Sequence, residues 1–449
     1  MLPEETLLRM FDFYTCGDHD DGEWETLVHV CRWWRFIIFA APRRLNLKLV
    51  CTSGTPVRKM LDIWPALPIS VRVDHIINDN VLAALEEHDR IGKFHVSNVS
   101  GLSDLELKAL MGATQVTFPA LKDLHINSWD NTVSFSELFL GGSAPNLRSL
   151  DLTCITFRAL PDLLLSSPGL VHLSLWNIPH SGYVSSDAVV DFLSSLARLE
   201  TLEIRFPSTR SRRTRESRRP TPLTRVNFPV LRRLTLKGKK KYLERILEPI
   251  VVPPLDFVRI TFLDPTIFDH SRISQWIGRT ETFEGFDQAY MLFSNDYFYF
   301  MLSSRKGATG GKMIRLSLLW SGSVWKLQEL ILTSRKGLLE PIDFCDLEGT
   351  FPPSWAKGMG NVPWLHIVRF FTATEHMYLS QGLAALVAPA LQELIGERVT
   401  TVLPVLRSIF VQCLESGPVQ EAIEQFVAAR QLLSGRSINV QCWVKEKKQ

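Results

Sequence analysis

Apolar residues along this chain follow two rhythms that replace one another. A short block with leucine or isoleucine at its first, fourth and sixth positions occurs at Leu121-Leu124-Ile126, Leu147-Leu150-Leu152, Leu170-Leu173-Leu175, Leu199-Leu202-Ile204, Leu231-Leu234-Leu236 and Leu327-Leu330-Leu332. The last two positions of each block lie two apart, which puts them on one face of an extended strand. Looser versions stand at Ile91-Phe94-Val96, Leu255-Val258-Ile260, Thr374-Met377-Leu379 and Leu406-Ile409-Val411. Between blocks the period lengthens to that of a helix, most clearly over Ser186 to Leu196, with a serine or aspartate cap, and over Tyr242 to Leu247, ended by Pro249. Similar triplets beginning at Leu102 and Leu160 read as helical. Pro119, Pro145, Pro168 and Pro229 each lie two residues before a block's first leucine, where proline stops a preceding helix.

The repeating unit is therefore proline, strand, loop, helix, and successive blocks from Leu121 to Leu231 begin 26, 23, 29 and 32 residues apart. Strands that alternate with helices form a parallel sheet. The predicted fold class is α/β: an irregular leucine-rich-repeat solenoid over residues 51–445, with parallel strands on the concave face and helices outside. Each inward leucine then contributes about 1.5–3 kcal/mol on burial. Pro418, Ile423, Phe426 and Gly435 predict a closing helix, and Ser437 to Trp443 alternate like a last strand. The pattern is poorest from Phe283 to Phe351, where Tyr290 to Phe293 and Tyr297 to Leu302 read as a buried helix.

Residues between the leucines project from the strand face. They include Asp123, His125, Asp151, His172, Trp176, Glu203, Arg205, Arg233 and Lys237, with Asn127, Ser149, Thr153, Ser174, Thr201 and Thr235 among them. Acidic and polar groups lead and basic groups follow. This row is the expected site of protein substrate contacts, with Trp176 as an aromatic anchor. The alternative is a merely solvated strand face.

Before the repeats, Leu7, Leu8, Phe11 and Tyr14 fall at one-turn spacing after Pro3 and Glu4. Beyond the polar stretch Cys16 to Gly22, residues Trp24, Leu27, Val28, Cys31, Trp34, Arg35 and Ile38 repeat at three and four. Two or three short helices cannot bury so many large side chains, and the surplus points to a partner. The runs Leu2-Pro3-Glu4-Glu5-Thr6-Leu7-Leu8-Arg9-Met10-Phe11 and Leu27-Val28-His29-Val30-Cys31-Arg32-Trp33-Trp34-Arg35 resemble the F-box, and the similarity continues through Pro42 to Leu47, as in the large F-box families of fungi. Thr6, where an aliphatic residue is usual, and Trp33, where a polar or basic one is common, depart from the pattern. The motif begins at residue 2, so the expected gene start lies upstream.

The resemblance implies an all-helical F-box over residues 1–50 that binds a Skp-type adaptor and, through it, a cullin ubiquitin ligase. Leu2, Pro3, Met10, Phe11, Leu27, Cys31 and Trp34 would face the adaptor or shape the helices that do. The alternative is a helical cap packed on the repeats.

Composition narrows the remaining chemistry. With 50 Lys plus Arg against 47 Asp plus Glu, a formal charge of +3 predicts no general attraction to nucleic acid or membrane. Arg210, Arg212, Arg213, Arg215, Arg218 and Arg219 form a local exception, expected as a disordered basic insertion at about 207–224; it offers the alternative of a nuclear or nucleic-acid-associated factor. The acidic amino terminus and the lack of a long apolar run predict a soluble protein of the cytoplasm or nucleus. Seven scattered cysteines with no C-x-x-C pair predict neither a disulfide framework nor zinc. Gly307 to Met313 departs from a phosphate loop, because its first glycine is one position too close and Met313 lacks the hydroxyl for magnesium. No cofactor, metal or catalytic constellation is expected, so the chain reads as a non-catalytic receptor of a Skp-cullin-F-box complex or as a plain interaction scaffold.

Overall fold

The computed structural model describes residues 3–15, 23–40, 47–74, 76–130, 133–179, 182, 184–206, 225–263, 276, 288–293, 297–303, 313–319, 328–333, 373–394, 398–412 and 417–443. The chain divides into a unit Met1–Leu199 and a unit Glu200–Gln449. Leu2, the arginine-rich run and the glycine-rich stretch before Met313 lie outside the described residues.

The first unit opens with helices α1 (Glu4–Thr15), α2 (Glu23–Val30) and α3 (Arg32–Ala40). Strands and helices then alternate: β1 (Leu47–Val50), α4 (Val57–Ile63), β2 (Ile69–Val73), α5 (Asp79–Glu86), β3 (Ile91–Val96), α6 (Asp104–Ala113) and β4 (Asp123–Asn127). They continue as β5 (Ser134–Phe135), β6 (Ser149–Thr153), β7 (Thr156–Phe157), α7 (Leu160–Leu165), β8 (His172–Trp176) and α8 (Ser186–Ser195). Strands β1, β2, β3, β4, β6 and β8 pair in that order, all parallel, while β5 and β7 form a separate two-stranded ladder. The sheet starts at Leu47, inside the segment expected to be helical.

Local chemistry explains the repetition. The N–H groups of Leu121, Leu147 and Leu170 donate to the carbonyls of Phe118, Ala144 and Ser167, so Pro119, Pro145 and Pro168 each occupy the second position of a tight turn, where their fixed φ fits. The prolines thus launch the strands as well as ending helices. Lateral bonds Lys122 N–H to Gly92 O, Arg148 to Lys122 and Val171 to Arg148 (2.8, 2.7 and 2.7 Å) then set each turn on its neighbour. Leu124, Ile126, Leu150, Leu152, Leu173 and Leu175 are at most 2 % exposed. They share the core with Val81, Leu110, Leu163 and Phe192 from the helices. Asn78 caps α5, and Ser103 with Glu106 forms a capping box on α6.

The second unit contains β9 (Thr201–Arg205), β10 (Val226–Asn227), β11 (Arg233–Gly238), α9 (Lys240–Leu247), β12 (Ile250–Val251), β13 (Phe257–Phe262), β14 (Gln288–Phe293), β15 (Tyr297–Ser303), β16 (Met313–Leu319) and β17 (Gln328–Thr333). It ends with β18 (His376–Leu379), α10 (Gln381–Gln392), α11 (Arg398–Thr401), β19 (Ser408–Gln412), α12 (Pro418–Ser434) and β20 (Asn439–Trp443). β9, β11, β13 and β16 pair parallel, as do β18, β19 and β20, and β10 pairs with β12. Gly435, at φ 67°, ends α12 in the left-handed conformation that glycine tolerates best.

Two expectations are corrected here. Tyr290 to Phe293 and Tyr297 to Leu302 are not a helix but parts of the antiparallel pair β14–β15, with Met291 opposite Phe300 and Leu292 opposite Tyr299. Short apolar runs carry no period that separates strand from buried helix, so the pairing partner decides between them. The block at Leu327 does give a strand, β17, but it runs antiparallel to both β14 and β18, so the sheet is not parallel throughout.

Candidate interaction surfaces

On the three opening helices Leu7, Phe11, Leu27, Val28, Ile37 and Ile38 are buried. Phe11 lies 4.8 Å from the half-buried Trp34, ring to ring at 60°. Cys31 separates α2 from α3, and its Sγ accepts the N–H of Trp34 at 3.4 Å, a weak sulfur version of an N-terminal cap. Arg35 Nε donates to Val28 O at 2.9 Å and ties the two helices together. Of the expected adaptor residues, Pro3, Met10 and Cys31 are exposed, whereas Phe11 and Leu27 shape the interior.

The outer surface is apolar as well. Met10, Val30, Trp33, Phe36 and Phe39 are 52, 56, 43, 62 and 40 % exposed, and Trp33 stacks on Phe36 at 5.8 Å. Arg32, Arg35, Phe36, Phe39 and Ala40 line a shallow groove on α3. Phe36 and Phe39 were missed by motif reading, although their spacing from Trp33 marks one helical stripe.

On the strand face of the first unit the side chains form rows. One row reads Arg72, His95, His125, Asp151 and Ser174 in register. The His95 and His125 rings are 4.3 Å apart, His125 Nδ1 is 3.2 Å from Asp151 Oδ2, and His95 Nε2 is 3.1 Å from Ser97 Oγ. Burial, then the neighbouring His125 and Arg72, push the His95 pKa down to about 4. The next row reads Lys93, Asp123, Ser149 and His172, with Lys93 Nζ 3.4 Å from Asp123 Oδ2. His172 is exposed, and Trp176 is half-buried with Thr153 as its register partner. Arg72, Lys93 and His95, which the sequence reading did not single out, join the expected residues on this face.

In the second unit Glu203 and Arg205 are paired with each other on β9. Arg233 is exposed and Lys237 half-buried on β11. Thr235, expected on the surface, is only 6 % exposed, and its register partners are the long-chain residues Glu203 and Arg259. Among the described residues no group of three His, Cys, Asp or Glu is placed to hold a metal ion, and no helix is long and apolar enough to cross a membrane. No protein-family model, no curated protein and no solved structure matches this chain.

Proposed function

We propose that the chain is a non-catalytic substrate receptor of a Skp-cullin-F-box ubiquitin ligase. The opening helices would act as the F-box, and the parallel strands as leucine-rich repeats of an irregular solenoid that holds a target protein. One observation carries the reading: α1–α3 bury Leu7, Phe11, Leu27, Val28, Ile37 and Ile38, yet they present Met10, Val30, Trp33, Phe36 and Phe39 to solvent. An apolar surface left over after a module has filled its own core is the signature of a docking face. The sulfur cap at Cys31 and the Phe11–Trp34 contact give a physical reason for the Val-Cys-x-x-Trp spacing, which favours the F-box over an arbitrary helical cap.

The test is capture of a purified Skp-type adaptor by the intact protein. Met10→Glu with Phe36→Glu should abolish capture while leaving the melting curve unchanged, because both side chains are exposed. An intact protein that fails to retain the adaptor would be an interaction scaffold and no ligase subunit.

A further inference from the structure

We propose that the strand face of β9, β11 and β13 is a docking surface for an extended acidic peptide, whose alternate carboxylates meet Arg233, Arg259 and Lys237. The proposal deepens the receptor reading by giving the chemistry of the cargo, and it rests on that reading for its biological purpose.

Register defines the surface. Arg233 stands between Thr201 and Phe257, Thr235 between Glu203 and Arg259, and Lys237 between Arg205 and Thr261. The face thus offers four cations and one carboxylate, and that carboxylate, Glu203, is already paired with Arg205. Arg233 and Lys237 have no ion-pair partner among the described residues. The Arg259 guanidinium sits 5.2 Å from the centre of the Phe257 ring, a cation–π contact on the same face. The strand face of the first unit differs: there Lys93 meets Asp123, His125 meets Asp151 and Arg72 meets Asp74.

The spacing selects the ligand. Alternate residues of a strand are about 6.6–6.8 Å apart and neighbouring strands about 4.8 Å. Arg233, Arg259 and Lys237 occupy three successive rows, so glutamates at positions i, i+2 and i+4 of a peptide lying along β11 each face one cation. Nucleic acid fits less well, since three cations neutralise far fewer than the roughly six to ten phosphates behind strong salt-dependent binding.

Fluorescence polarisation on the full-length protein at low salt provides the test, with a dye-labelled Gly-Glu-Thr-Glu-Thr-Glu-Gly peptide and its glutamine counterpart. The glutamate peptide should bind about tenfold more tightly or better, and Arg233→Glu with Lys237→Glu should remove that preference. Lys122→Glu with Lys241→Glu, an equal charge change at exposed positions off this face, should leave it intact. Equal binding of the two peptides, equal loss in the control variant, or tighter binding of an oligothymidylate through the same two residues would overturn the proposal. The assay contains no adaptor: peptide preference retained beside failed adaptor capture upholds this surface and sinks only the ligase role.

Discussion

At the residue scale, a half-buried histidine and a buried arginine decide stability in opposite ways. His95 is held neutral by burial beside His125 and Arg72, with its pKa lowered from 6.5 to about 4, while Asp74 and Asp151 pull weakly the other way. Between these values the unfolded chain binds the proton that the folded chain refuses, so stability falls as pH drops from 6.5 toward 4 and levels below. Because the ring is only half-buried, the loss should be roughly 1–2 kcal/mol, less than the full shift implies. Urea midpoints at neutral and acidic pH should differ accordingly, and His95→Gln should flatten that difference. Arg430 contributes differently. It is 1 % exposed, and it donates from Nη1 to Val399 O and Val402 O and from Nη2 to Leu403 O, at 3.4, 3.1 and 2.6 Å. Arg430→Met keeps the volume but removes those donors, leaving Leu403 O with the N–H of Leu406, and should cost roughly 2–4 kcal/mol in chemical denaturation.

At the element scale, strands and helices differ in what holds them. Leu150 and Leu173 are register partners on β6 and β8, each 1 % exposed or less, and Leu124 beside Leu150 and the next inward pair Leu152–Leu175 are at most 2 % exposed. Leu150→Ala or Leu173→Ala should therefore cost about 2–5 kcal/mol, and hydrogen exchange should quicken in the adjoining strands. Wild-type melting of those variants would contradict the packing. Helix α6 depends more on its end: Ser103 Oγ accepts from Glu106 N–H at 3.3 Å, and the Glu106 carboxylate accepts from Ser103 N–H at 2.8 Å. The Ser103 hydroxyl, and then its backbone N–H, donate to the Glu106 carboxylate and hold it below its usual range, and Ser103→Ala should cost about 0.5–2 kcal/mol through fraying of α6.

At the scale of the whole molecule, charge separates the competing roles. A formal charge of +3 over 449 residues supplies no general field for nucleic acid, so DNA binding should be weak and only shallowly dependent on salt. A steep salt dependence that vanishes on deleting residues 208–220 would instead assign the work to the arginine-rich run. Adaptor capture and peptide preference are the corresponding positive tests, each at its own surface.

Local pattern alone identified β3, β4, β6, β8, β9, β11, β13, β18, β19 and β20, because burial on one face enforces a period of two that survives in Leu150 and Leu152 or Leu234 and Leu236, but it passed over the parallel strands β1, β2 and β16. It also identified α8, α9 and α12, whose caps and periodicity are written within a few residues. Partnership was out of its reach. The direction of β17, the strand state of Tyr290 to Phe293, the burial of Thr235 and the meeting of His95 with His125 depend on which distant segment lies alongside. Residues 30 positions apart in sequence become neighbours only after the strands stack, and no local propensity records that choice.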